Sequence, residues 1–398
     1  METTLDYTQK ALEAVDQAYI ISLRREFHEH PEVGFDLPNT LDVVRRELTD
    51  LEVTFTEEYG RSAIVAYINR GYCGVTIGLR ADMDALPLTE RTGLPFSSKI
   101  EGRMHACGHD AHTAMLLGTA KALKSVEKQL ACTVALIFQP SEEGPLSGAE
   151  LMVRDGLMKE IDFIIALHVE NLIESGRVGI SPGVALAGCL PIELKFFGKT
   201  AHATMAHSGV NALAMAVNTY VAIQNMMSTQ MNPLTKYVCS IGVLESGTTH
   251  NVIPDHATMK ISLRTFDQET EQFFSTRIRQ IAENAAAQQG GRVEMHEGFR
   301  ALPVVNDPVV SAAVVRAAEK IIGKDHVVEV PVKLGSEDFS CYIHEKPGAF
   351  VRLGTRNKDK GCVTLPHNND FLIDEDALSI GSKVCVQFVL DNMHGLDF

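Results

Sequence analysis

Val75-Thr76-Ile77-Gly78-Leu79-Arg80-Ala81-Asp82-Met83-Asp84 is the stretch whose reading decides the fold. Val75 to Leu79 is a short apolar run suited to a buried strand, and the charged residues follow at its carboxyl end. The same pattern recurs downstream. Thr133 to Phe138 is a strand stopped by Pro140 and leading into Ser141-Glu142-Glu143-Gly144, and Asp162 to Leu167 is a strand with His168 at its end. Helical periodicity fills the gaps. Ala111 to Lys124 reads as a helix with Asp110 either at its N-cap or as a partner behind a ligand, and Ala11 to Phe27 reads as an amphipathic helix ended by His30-Pro31. Strands alternating with helices predict an α/β fold, a mostly parallel sheet covered by helices. In such sheets the chemistry gathers beyond the carboxyl ends of the strands, where these polar residues fall.

The pattern changes after Ser181-Pro182-Gly183. Pro191 to Phe197, Tyr237 to Leu244, Ala257 to Thr265 and Arg292 to Glu297 read as strands, with helices at Asn211 to Met227 and Glu269 to Gln289. The order β-α-β-β-α-β is that of a ferredoxin-like unit. Helix–strand alternation resumes from Pro308 to Leu390. A chain of 398 residues is too long for one ordinary core. The predicted organisation is a discontinuous main domain, 1–186 plus 301–398, with an α+β domain inserted at 187–300.

Composition narrows the function classes. Hydrophobic residues make up 45% and charged residues 22%, as in a globular protein, and no apolar run reaches eighteen residues. A net charge of −15 argues against nucleic acid or an anionic membrane as partner. The start, Met1 to Asp6, has neither the basic nor the apolar part of a secretory leader, which predicts a cytoplasmic protein. The 8 cysteines are scattered with no Cys-x-x-Cys pair, so most read as reduced core thiols. Cys107 is the exception.

Met104-His105-Ala106-Cys107-Gly108-His109-Asp110-Ala111-His112 crowds histidines, a cysteine and an aspartate just before a helix. Cys107 and His109, two apart in extended backbone, would point to one side, as two ligands of a metal pair do. Glu142 and Glu143 are ordinary loop acids when read alone. Beside a metal pair, one could ligate and the other act as base. His168 is either a core histidine or a ligand, and His367, in Leu365-Pro366-His367-Asn368, is unremarkable by itself.

Taken together these segments resemble the M20 metallopeptidase family. Within it they resemble the amidohydrolase branch of hippurate hydrolases, aminoacylases and auxin-conjugate hydrolases. Matching stretches include Arg24 to Glu32, Arg80 to Pro87, His105 to His112, Phe138 to Gly144, Gly198 to Ala203, Asn251 to Pro254, Gly335 to Phe339 and Pro366 to Asn368, nearly the whole chain. The resemblance implies that Cys107, His109, Glu143, His168 and His367 ligate two divalent metals, of Mn, Zn, Co or Ni. It implies that Glu142 is the general base and later acid, and that Asp82 is an acid orienting a ligand. It also implies that His202, reaching a neighbouring subunit, stabilises the oxyanion, and that Asn251 and Arg264 hold the substrate. The wider family has a histidine ligand where Arg80 stands, and this departure favours the amidohydrolase branch. The implied substrates are small N-acyl amino acids, cut at the amide bond. The implied assembly is a homodimer or larger homo-oligomer through the inserted domain, which would also act as a lid. Alternatives are a dipeptidase or carboxypeptidase, an N-acetyl-diaminopimelate deacetylase, a hydrolase using Cys107 as nucleophile, and a non-catalytic binding homologue.

Overall fold

The computed structural model describes residues 4–398, so the part of the leader reading that rests on Met1 to Thr3 lies outside the described residues. The chain divides into two compact units. One takes the chain up to Ala185 with Val304–Val332 and Asp338–Phe398, and the other takes Leu186–Pro303 with Lys333–Glu337.

The first unit opens with α1 (Thr4–Glu13), α2 (Gln17–Glu29), α3 (Pro38–Asp50), β1 (Thr54–Thr56), β2 (Ile64–Ile68), β3 (Thr76–Asp82) and α4 (His109–Lys124). It continues through β4 (Thr133–Gln139), α5 (Gly148–Arg154), β5 (Phe163–Glu174), β6 (Val178–Ile180) and β7 (Gly183–Leu186). The second unit then supplies β8 (Gly188–Phe197), β9 (Ala201–His202), α6 (Ala212–Thr229), β10 (Tyr237–Ser246), β11 (Val252–Ile253), β12 (His256–Thr265), α7 (Gln268–Gln288) and β13 (Arg292–Glu297). The first unit closes with β14 (Val304–Asn306), α8 (Pro308–Ile322), β15 (Val327–Glu329), α9 (Ser340–Glu345), β16 (Gly348–Arg356) and α10 (Leu378–Asn392).

An 8-stranded sheet, ordered β1-β2-β4-β3-β5-β16-β6-β15, forms the middle of the first unit. Its central four strands, β4, β3, β5 and β16, pair in parallel, while β2 and β6 join them antiparallel. Every residue of β4 is buried, as covering both faces of a parallel sheet requires. Helix α4 is buried along almost its whole length against β3, α2 and α10, which its alanine-rich sequence permits. Strands β4 and β5 flank β3 on opposite sides, so the winding reverses at β3. The loops leaving these three strands therefore open at one end of the sheet.

Three local readings are corrected and one helix is added. The helix expected over Ala11 to Phe27 is two, because the Asp16 carboxylate accepts from the Tyr19 N–H at 3.1 Å and starts a new helix. Helix α3 had no place in the sequence reading. Asp110 is not an N-cap: α4 begins at His109 with left-handed Gly108, φ 90°, before it. Strand β5 does not end at His168, because β16 pairs alongside it through Arg352 opposite His168 and beyond.

In the second unit the sheet order is β10-β12-β8-β13, antiparallel throughout, the order of a ferredoxin-like fold. Leu190, Ile192, Leu194 and Phe196 alternate inward along β8 and pack with Met259, Ile261 and Leu263 against α6 and α7. At the base of this unit Cys189 and Ala301 exchange two backbone hydrogen bonds, of 2.8 and 3.0 Å. Among the described residues no helix is long and apolar enough to cross a membrane.

Candidate metal centre

The turn that carries Cys107 and His109 depends on a glycine. A Cβ at Gly108 would lie 2.4 Å from Val169 Cγ2, and its positive φ disfavours any L side chain. Cys107 and His109 therefore do not share an extended strand. The left-handed residue turns the chain between them, and both side chains are buried. The Cys107 Sγ lies 3.5 Å from His168 Nε2. His168 Nδ1 donates to the Val169 carbonyl at 2.6 Å, which leaves the Nε2 lone pair facing the sulfur.

Donor atoms of Cys107, His109 and His168 all lie within 4.8 Å of one another, and so do those of Cys107, Glu143 and His367. One sulfur is common to both groups. His367 comes from the far end of the chain and is held there by its backbone: its N–H donates to the Ala106 carbonyl at 2.8 Å, with φ at 64°. Its Nε2 lies 2.8 Å from Glu143 Oε1, an ion-pair contact without the alignment of a hydrogen bond. The Glu143 side raises the His367 pKa, whereas burial of Glu143 is outweighed by His367 and His109, which hold its carboxyl below the usual range.

His109 is the most exceptional member of the cluster. Both of its ring nitrogens are buried with no hydrogen-bond partner. The nearest acids stand back, Asp84 Oδ1 at 3.6 Å, Asp82 Oδ2 at 3.7 Å and Glu142 Oε2 at 4.0 Å. Burial alone would push its pKa down, but Asp82, Asp84 and Glu143 take it up to about 10. The site is thus a buried basin of negative charge around an unsatisfied imidazole. Burial, then Glu143, Glu142 and Asp82, push the Cys107 thiol well up, so it forms a thiolate only beside a cation. Thiol, imidazole and carboxylate donors at this spacing fit divalent transition metals.

Asp82, at the end of β3, is fully engaged. The Val169 N–H donates to His112 Nε2 at 2.9 Å, so His112 Nδ1 carries the proton it gives to Asp82 Oδ1 at 2.6 Å. Arg80 donates to the other oxygen at 2.6 Å and reaches Gln139 Oε1 at 2.8 Å and Asp338 Oδ1 at 3.0 Å. Burial opposes the ionised form of Asp82, but Arg80, His109 and His112 hold its pKa well below the usual carboxylate range.

Asp84 was missed in the sequence. Its two oxygens accept the backbone N–H groups of Glu142 at 2.9 Å and Glu143 at 3.2 Å, fixing the loop after β4. The one available signal was its alternation with Asp82, which puts the two acids on the same side of an extended chain.

His202, Asn251 and Arg264 belong to the second unit. His202 and Asn251 are exposed and adjacent there: His202 pairs with Val252 across β9 and β11, and the Ala203 N–H donates to the Asn251 carbonyl at 3.0 Å. Arg264, on β12, gives one nitrogen to the Leu334 carbonyl at 3.1 Å and to Ser336 Oγ at 3.3 Å.

Comparison with known proteins agrees with this geometry. The profile of peptidase family M20/M25/M40 matches residues 78–391. The chain is 35% identical to thermostable carboxypeptidase 1 of Saccharolobus solfataricus, over 92% of this chain and 93% of that one. It is 35% identical to the N-acetylcysteine deacetylase of Bacillus subtilis, over 92% and 94%. It is 34% identical to the IAA-amino acid hydrolase ILR1-like 4 of Arabidopsis thaliana, over 92% and 84%. Among solved structures, a dinuclear metal-binding peptidase of the M20 family from Bacillus subtilis superposes with a TM-score of 0.79 at 31% identity, covering 94% of this chain and 98% of that one. With a two-group donor cluster on a matching fold, the chain belongs to peptidase family M20/M25/M40 and is a metal-dependent hydrolase.

Proposed function

We propose that the chain hydrolyses the amide bond of small N-acyl amino acids, releasing a carboxylic acid and the free amino acid. The observation that carries this reading is the pair of donor groups sharing Cys107, with the Glu142 carboxylate 4.0 Å from His109. Cys107, His109 and His168 would hold one divalent cation, and Cys107, Glu143 and His367 the other. Zn²⁺ suits the sulfur, and Mn²⁺, Co²⁺ and Ni²⁺ are accepted by the remaining donors. Bound there, the cations supply Lewis acidity and lower the pKa of water. Glu142 takes the proton from the attacking water as the carbon–oxygen bond forms, and returns it to the nitrogen as the carbon–nitrogen bond breaks. Asp84 keeps Glu142 and Glu143 in place for these separate tasks, and Asp82, clasped by Arg80 and His112, keeps its charge facing His109. The roles of His202 in oxyanion stabilisation, and of Asn251 and Arg264 in binding the substrate's polar end, rest on the family resemblance.

The substrate class draws support from the deacetylase and the IAA-amino acid hydrolase among the relatives. The carboxypeptidase relative favours a second reading, removal of a C-terminal amino acid from a peptide. A panel run on metal-reconstituted protein separates them. N-acetyl and N-benzoyl amino acids should be cut with a kcat/KM at least about tenfold above that of matched dipeptides, some 1.4 kcal/mol of transition-state preference. Faster cleavage of the peptides would replace the first reading by the second.

We also place the protein in the cytoplasm, in keeping with its eight free thiols. A homodimer forms through the second unit in this reading. Its support is an exposed apolar row on α6, formed by Leu213, Val217, Tyr220 and Val221, together with β10 at the edge of the four-stranded sheet. Replacing Val217 and Val221 by Glu should turn a dimer into a monomer in sedimentation velocity. A variant that sediments as the wild type would remove α6 from the interface.

A further inference from the structure

The first turn of α4 carries His109, yet its N-cap, Gly108, offers no side chain to cap it. Asp110, the acid of that turn, reaches away from the backbone. Its Oδ2 accepts from Arg24 Nε at 2.8 Å and from His28 Nδ1 at 2.7 Å, both donors being on α2, while its Oδ1 has no partner. Arg24, His28 and Asp110 are all almost completely buried. The donors are anchored in turn. Arg24 Nη1 reaches Glu375 at 3.1 Å, and His28 Nε2 lies 3.2 Å from Glu90, whose carboxylate also takes the Ser98 N–H at 2.6 Å. Phe96 packs edge-on to His28 and lies under Arg24.

Burying three ionisable groups is costly, and a well-packed apolar trio would serve stability as well or better. What a charged clasp adds is direction: two donors converging on one oxygen fix where Asp110 sits, and Asp110 is covalently next to His109. We propose that Arg24, His28 and Asp110 form a positioning clasp that holds the Cys107–His109 turn ready for the cation. None of the three touches the donor cluster through its side chain. They act as positioning residues, through the backbone of a helix start that lacks an ordinary cap. The proposal rests on the reading of Cys107 and His109 as ligands.

The test is Zn²⁺ affinity of the full-length metal-free protein, by competition with a chromophoric chelator, alongside thermal melting of the same metal-free samples. Asp110→Asn and His28→Leu should each weaken Zn²⁺ binding by about 10–100-fold, as loss of a partner behind a ligand does. His28→Asn places an amide N–H near the position of Nδ1, and should restore most of the lost affinity. Wild-type Zn²⁺ affinity in Asp110→Asn and His28→Leu, with only a lower melting temperature, would overturn the proposal. So would equal weakness in His28→Asn and His28→Leu, a comparison that stands even if Asp110→Asn does not fold. A wild-type chain taking up no Zn²⁺ would instead overturn the metal-centre reading, and the clasp with it.

Discussion

Glu142→Gln should lower kcat by about two to four orders of magnitude while leaving bound metal unchanged. The substitution keeps the size and the polarity of the side chain and removes its basicity. Its backbone is already fixed, because Asp84 accepts the Glu142 N–H at 2.9 Å independently of the side chain. The loop should therefore keep its place, and KM should move little. Steady-state kinetics and metal analysis of the purified variant measure the two quantities separately. If kcat and metal content fell together, Glu142 would be a ligand and not the base. Near-normal turnover would remove it from the chemistry altogether.

Cys107→Ala should reach further, since the sulfur belongs to both donor groups. Losing a partner behind a ligand costs about 10–100-fold in affinity, and losing a ligand shared by two cations should exceed the upper end of that range. Retention of metal through dialysis is the direct readout. Cobalt(II) gives a second one: a thiolate ligand produces a sulfur-to-metal charge-transfer band in the near ultraviolet, which Cys107→Ala should lack. Full metal content without that band in the wild type would take Cys107 out of the ligand set. The reading of Cys107 as a covalent nucleophile is disfavoured on physical grounds. A buried thiol pushed up by Glu143, Glu142 and Asp82 is protonated at neutral pH and attacks poorly.

How much of this was legible depended on whether the signal was local. The βαββαβ insert could be read almost element by element, because strands with one buried face alternate in sequence, as β8 and β12 do. Strands β3 and β4 announced themselves as apolar runs ending in charge. Helix α3 did not, and strands of three residues, β1, β6 and β15, are too short for any period to show. In the site, the density of histidine and cysteine around Cys107 was visible, whereas Asp110 was left between a cap, which it is not, and a partner behind a ligand. Its true partners, Arg24 and His28, lie more than eighty residues away. Asp84 was lost for the same reason: its partners, the amides of Glu142 and Glu143, are brought to it only when β3 and β4 pair. Pairings between distant segments follow from topology, and topology is the part that periodicity does not encode.

The two backbone hydrogen bonds between Cys189 and Ala301 bear on the order of folding. The second unit interrupts the first, so Ala185 and Val304 must be brought together across the whole of Leu186–Pro303. Were that segment still a coil, closing a loop of roughly 120 residues in place of one of about four would cost about 3 kcal/mol in chain entropy. A second unit that folds on its own ties its ends together first and presents them to the interrupted sheet as a short connection. The interrupted sheet should therefore assemble last, and damage to the core around Phe196 and Phe274 should slow its formation even though neither residue belongs to it.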